Sequence, residues 1–117
     1  MPEVELFEDR RGRQPVRDYI RELERRGRLA EVAAIARDID LLEEHGAQLG
    51  MPFARIIDRE HRIYELRPGA HRIAFALHRG AAVLLHAWRK RTQRLDDAEL
   101  SVARRRLGEW LDSRANQ

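Results

Sequence analysis

The chain has 117 residues, of which 43% are hydrophobic, 37% are charged and none is cysteine. That length suits one domain, expected to span residues 1–117, and the composition is that of a globular fold with a heavily charged surface. Without cysteine there is no disulfide scaffold, no thiolate zinc site and no thiol nucleophile. No apolar run approaches the ~18 residues of a membrane span, and the start Met1-Pro2-Glu3-Val4-Glu5 is too acidic for a signal peptide, so a cytoplasmic setting without membrane attachment is expected.

The formal net charge of +3 hides a segregation. Residues 1–52 carry nine Arg against twelve Asp and Glu, whereas residues 53–94 carry ten basic residues against three acidic ones. Residues 95–117 return to a net charge of −1. A contiguous basic third of the chain points to an anionic partner such as RNA, DNA or an acidic protein. Only Lys90 among the 23 basic residues is a lysine, so an arginine bias contributes to the pattern.

In chain order, residues 3–7 alternate polar and apolar and predict a short strand. Pro15 suits the first position of a helix, and Val16, Tyr19, Ile20 and Leu23 then follow at the spacing of one helical face, with Gly27 ending it. A second helix is expected over residues 29–44, its buried stripe formed by Val32, Ile35, Ala36, Ile39 and Leu42, with Gly46 as its C-terminal glycine. After Gly50-Met51-Pro52 the period shortens toward two. Residues 53–57 read as a strand or an extended arm, and residues 62–67, 71–78 and 81–88 read as strands joined by turns at Pro68-Gly69 and Arg79-Gly80. These three strands predict an antiparallel meander. Ile73, Phe75 and Leu77 should face the helices, leaving the face with Arg72 and two alanines open. Asp96 and Glu99 have the spacing of a capping box, opening a last helix with Leu100, Ala103, Leu107, Trp110 and Leu111 on its apolar face; residues 113–117 should fray.

Several chemistries find no support. His45, His61, His71, His78 and His86 show no helical metal spacing, so no metal and no cofactor are expected. There is no phosphate-binding glycine loop and no serine nucleophile motif. The strongest chemical signal is basic: Arg67 and Arg72 flank one turn, and Trp88-Arg89-Lys90-Arg91-Thr92-Gln93-Arg94 leaves the last strand without an acidic residue. Guanidinium groups bind phosphate in forked pairs and an indole stacks on a base, a good surface for RNA. The alternative is a core role for Trp88 with a solvated arginine tail. His86 likewise reads either as a hydrogen-bonded structural histidine or as a group facing an open groove.

These motifs resemble the RelE/ParE superfamily of bacterial toxins, specifically its phage-derived, HigB-type branch. The resemblance runs from about Pro15 to Leu107. It rests on Ile63-Tyr64-Glu65-Leu66-Arg67, on Arg72-Ile73-Ala74-Phe75, on Leu84-Leu85-His86-Ala87-Trp88-Arg89-Lys90-Arg91-Thr92-Gln93, and on the loop Gly46 to Pro52 before the meander. It implies an α+β, RelE-like fold of order β-α-α-β-β-β-α, with a small, largely antiparallel sheet, a helical hairpin and a C-terminal helix. It also implies a toxin of a type II toxin–antitoxin system that cleaves mRNA on the ribosome, partnered by an antitoxin of helix-turn-helix type.

Carried over by position, Arg72 stabilises the phosphate, Lys90 binds it or transfers a proton, and Arg67 binds phosphate or supports the site. Arg55, Arg89, Arg91 and Arg94 would bind RNA, with Trp88 and His86 as candidates for stacking and proton transfer. Two departures stand out. Relatives carry two lysines where this chain has Ile63 and Glu65, and the last helix lacks a tyrosine, its nearest substitutes being Asp96, Asp97 and Glu99. Arginine is a poor general base, so the proton acceptor is left unassigned. The same fold also serves gyrase poisons and inactive antitoxin-binding relatives. A transcription factor is the weaker third reading, because helix 29–44 holds only Arg37 as a basic residue.

Overall fold

The computed structural model describes residues 3–92, 94 and 96–116. Gln93, part of the basic motif above, lies outside them. The elements run β1 (Glu3–Leu6), α1 (Pro15–Arg25), α2 (Leu29–His45), a single 3-10 turn (Gly46–Gln48), β2 (Ala54–Asp58), β3 (Ile63–Leu66), β4 (His71–His78), β5 (Ala81–Arg89) and α3 (Asp97–Ala115). The α+β class and the helical hairpin agree with the sequence reading. The meander has four strands, not three, because residues 54–58 pair with β3. The sheet order is β1-β5-β4-β3-β2, antiparallel except where β1 lies parallel to β5. The β4–β5 turn works because Arg79 and Gly80 both adopt positive φ, at 48° and 81°, as a two-residue hairpin turn requires. Among the described residues, no helix is long and apolar enough to cross a membrane.

Both faces of the sheet carry apolar layers. On one, Leu66, Ile73, Phe75, Ala82 and Leu84 pack with Val16 and Leu23 of α1 and Ile35 and Leu42 of α2. The α2 stripe departs from expectation at two positions: Ala36 is exposed, and the buried place is taken by Asp38, at 2% exposure. Burial raises the Asp38 pKa, with Arg37 partly offsetting it.

The second face corrects the sequence reading more substantially. It is not open. Ala74, Ala76, Val83 and Leu85 are buried there beneath Leu100, Ala103, Leu107 and Trp110 of α3. The alanines are small because the helix packs directly on them; their size marks close approach, not solvent. Helix α3 continues to Ala115.

Two bulges shape this face. In β2 the register slips between Ile56 and Asp58, so that Asp58 pairs with Ile63. Asp58 then accepts hydrogen bonds from Arg104 Nε of α3 at 2.6 Å and from the His61 backbone N–H at 3.1 Å. In β5 the register slips at Leu85: Ala74 pairs with His86, whereas Phe75 pairs with Leu84. Strict alternation would place His86 and Trp88 with Leu84 on the hairpin side. The extra residue turns both to the α3 side instead.

Two outcomes follow. Ala74→Leu should wedge α3 from the sheet and destabilise the fold by about 1–3 kcal/mol, read as a lower urea midpoint with unchanged slope. Burial alone would raise the Asp58 pKa, but Arg104 and His61 outweigh it and hold the carboxyl at about 2, against 3.8 when free. Its stabilising contribution is therefore complete above 3.8 and lost as the pH falls toward about 2. Asp58→Asn should flatten that limb of the stability–pH curve, measured by urea titrations across the interval.

Candidate functional site

Helix α3 covers only part of its sheet face. Beyond its N-terminus the sheet end forms a cleft of about 170 Å³. Arg55 (β2), Glu65 (β3), Arg67 (just after β3), Arg72 (β4) and Trp88 (β5) line it from the strands, and Arg89 to Thr92, Arg94, Asp96 and Glu99 close it. Antiparallel register brings the strand residues together: Arg55 lies opposite Glu65, Glu65 opposite Ala74, and Arg72 opposite Trp88. Seven cationic side chains thus face three carboxylates.

Glu65 organises the floor. It is 1% exposed, and a buried carboxylate needs charged partners. Arg55 Nε donates to its Oε1 at 2.6 Å, with Arg67 Nε at 3.7 Å and Arg72 Nε at 3.9 Å from the same oxygen. One negative charge thus gathers three positive ones and leaves a surplus of two. Arg72 is further fixed by Nη1 donating to the carbonyls of Gly69 at 2.9 Å and His71 at 2.7 Å. Its burial lowers its pKa, Glu65 opposes this, and Arg67 and Arg55 add to the lowering; from so high a starting value it stays charged at neutral pH. Arg67 Nε is buried with no hydrogen-bond partner among the described residues.

The other expected residues fall in three places. Lys90 lines the cleft, its backbone N–H donating to the Ala70 carbonyl at 2.7 Å, and Arg91 and Arg94 stand exposed at the rim. Trp88 is half-buried: it packs against the core beneath α3, lines the cleft and stacks on the His86 ring, with centroids 5.2 Å apart. His86 lies behind the lining, its Nε2 3.0 Å from Glu99 Oε1 and its Nδ1 3.1 Å from Arg106 Nη1. Burial lowers its pKa below the usual 6.5, and the hydrogen bond to Glu99 offsets this only in part. Arg89 borders the cleft, yet its Nη1 reaches to 3.4 Å from Glu31 Oε1 on the hairpin side.

That hairpin-side contact belongs to a network the sequence reading did not contain. Tyr19 Oη lies in hydrogen-bonding contact with His71 Nδ1 at 2.6 Å, and His71 Nε2 donates to Glu31 Oε1 at 2.7 Å. Hydrogen bonds from Arg28 and His71 hold the Glu31 carboxyl at about 2. The bonds tie α1 and α2 to the first residue of β4, next to Arg72. Glu65 likewise enters the sequence reading only as part of the Ile63-Tyr64-Glu65-Leu66-Arg67 motif and as a departure from relatives, with no role of its own. The signal that finds it is a carboxylate in an apolar strand whose antiparallel neighbours include arginines, and that signal needs the register.

A small α+β fold with a four-strand meander, a helical hairpin and an arginine cleft at one sheet end is of the RelE-like class. A family model described as "Phage derived protein Gp49-like (DUF891)" matches residues 18–108, and the chain belongs to this toxin-like family. The match contains every cleft residue named above. No curated protein matches the chain.

Removing the Glu65 charge should be costly. Glu65→Gln leaves three guanidinium groups facing one another and should destabilise the fold by about 3 kcal/mol, the low end for a broken buried pair because Arg55 keeps solvent access. Urea unfolding measures the loss, and high salt should recover part of it.

Proposed function

We propose that the protein is the toxin of a type II toxin–antitoxin pair and an mRNA endoribonuclease of the RelE/HigB kind, acting on ribosome-bound message. The observation that carries this reading is the set of arginines gathered by Glu65 in a cleft rich in cations, within a toxin-like family. In such a reaction the 2′-oxygen attacks the neighbouring phosphorus, negative charge builds on the equatorial oxygens, and the 5′-oxygen leaves with a proton. Fixed cations aimed at that phosphate stabilise the charge where it develops, and the reaction by this route needs no metal. Arg72, held by two carbonyls and Glu65, is preorganised for the role. Arg67 and Lys90 flank the same space. Trp88 offers a stacking face, and Arg55, Arg91 and Arg94 extend the phosphate track, with Arg89 at its edge.

The partner in this reading is a cognate antitoxin whose toxin-binding segment covers the cleft with acidic or apolar residues, and which carries a helix-turn-helix domain of its own. One observation favours a second reading, a toxin-fold protein that binds without cleaving. Ile63 is buried in the core beneath α3, and Glu65 is engaged by arginines, so neither position offers the proton-transferring side chain found in relatives.

Inducible expression in bacteria separates the two. Wild type should arrest growth and generate new in-frame transcript ends, whereas Arg72→Ala with Lys90→Ala should do neither, and co-expressed antitoxin should restore growth. Arrest with intact transcripts would discard the nuclease reading in favour of binding to gyrase or the ribosome.

A further inference from the structure

The cleft contains a carboxylate whose orientation is set from behind by two other residues. Glu99 occupies the position that a capping box would turn back to the Asp96 backbone. No such bond is found among the described residues. Asp96 caps α3 alone, through Oδ1 accepting from the Ala98 N–H at 2.8 Å, and Glu99 Oε1 instead faces His86 Nε2 at 3.0 Å. Arg106, two turns further along α3, places Nη1 3.1 Å from His86 Nδ1 and 2.9 Å from the carbonyl of Leu85, the bulged residue of β5.

Arginine has no acceptor atom, so Nδ1 must accept, and the imidazole proton resides on Nε2, directed at Glu99. Both ring nitrogens are thereby occupied, and stacking on Trp88 holds the ring plane. His86 is therefore poorly placed to exchange a proton with RNA itself. Of the three carboxylates in the cleft, Glu65 serves the arginines and Asp96 serves the helix end. Glu99 has one oxygen held by His86 and its other directed at no hydrogen-bond donor among the described residues.

We infer that Glu99 is the general base, a catalytic residue, and that His86 and Arg106 are positioning residues that fix its carboxylate toward the cleft. The inference rests on the nuclease reading above. In the step, Glu99 Oε2 takes the 2′-hydroxyl proton as the 2′-oxygen bonds to phosphorus. The bond from phosphorus to the 5′-oxygen breaks, and that oxygen takes a proton from the Lys90 ammonium. The products are a 2′,3′-cyclic phosphate and a free 5′-hydroxyl. Solvent then returns the proton from Glu99 to the Lys90 amine, so the protein ends as it began.

The test uses the full chain, ribosomes programmed with a defined mRNA, and single-turnover cleavage alongside binding to the same complex. Glu99→Gln should cut the cleavage rate by roughly a hundredfold or more with binding unchanged. A message with sulfur in place of the bridging 5′-oxygen has a leaving group that needs no proton. It should rescue Lys90→Ala and leave Glu99→Gln impaired. His86→Gln keeps an N–H donor toward Glu99 and should retain most of the cleavage rate that His86→Ala loses, with binding to the programmed ribosome unmoved in both.

Rescue of Glu99→Gln by the sulfur message would make Glu99 an acid and overturn the assignment. Cleavage by Glu99→Gln at the wild-type rate would overturn it while leaving the nuclease reading intact. Equal loss in the two His86 variants, tracking a fall in Tm, would overturn the positioning role. A wild type that cleaves no message would overturn the nuclease reading and this assignment with it.

Discussion

The bulge at Leu85 divides one face of the sheet into two territories. Up to Leu85, small and apolar side chains of β4 and β5 lie beneath α3 and form a dry layer. Past it, the same face presents His86 and Trp88, which join Arg72, Glu65 and Arg55 across the strands. Without the extra residue, the aromatic pair would project into the hairpin side and the cleft would lose one wall. The bulge also frees the Leu85 carbonyl to receive Arg106, so the irregularity in β5 and the docking of α3 stabilise each other.

Charge placement follows from that division. Three guanidinium groups around one buried carboxylate would repel one another in its absence, and with it they form a surface with surplus positive charge at short range. Such a surface is attractive to phosphate because its neutralisation is incomplete, and Arg72 within it is held by two backbone carbonyls beside Glu65. An anion entering the cleft meets donors already oriented, so little reorganisation accompanies binding.

The opposite side of the sheet contributes to the same end. His71 precedes Arg72 and is locked between Tyr19 and Glu31, while Arg89 reaches the same Glu31 from the end of β5. The helical hairpin is thereby fastened to the two strand ends that frame the cleft. Displacing the hairpin would disturb those strand ends as well as the apolar layer beneath it.

Much of this molecule is legible in its residues. The 3.6-residue spacing of Val16, Tyr19, Ile20 and Leu23, the alternation through β4 and the glycine turns determined the helices, the strands and their order, because each is a local pattern of backbone geometry and burial. The segregated charge and the motifs around Arg72 and Lys90 determined which residues would share a surface. Other features were beyond a linear reading. Alternation along β4 could not show that Ala74 and Ala76 make room for a helix that begins two dozen residues later. A bulge changes no residue type, so nothing local told that His86 and Trp88 would leave the face of Leu84. In sequence Glu65 is a motif residue at the place of a lost lysine, and Glu99 is half of a capping box or one of three substitutes for an absent tyrosine, because a carboxylate's role depends on which cations and donors surround it. Those neighbours come from strands and helices distant in the chain, and only the tertiary structure brings them within hydrogen-bonding distance.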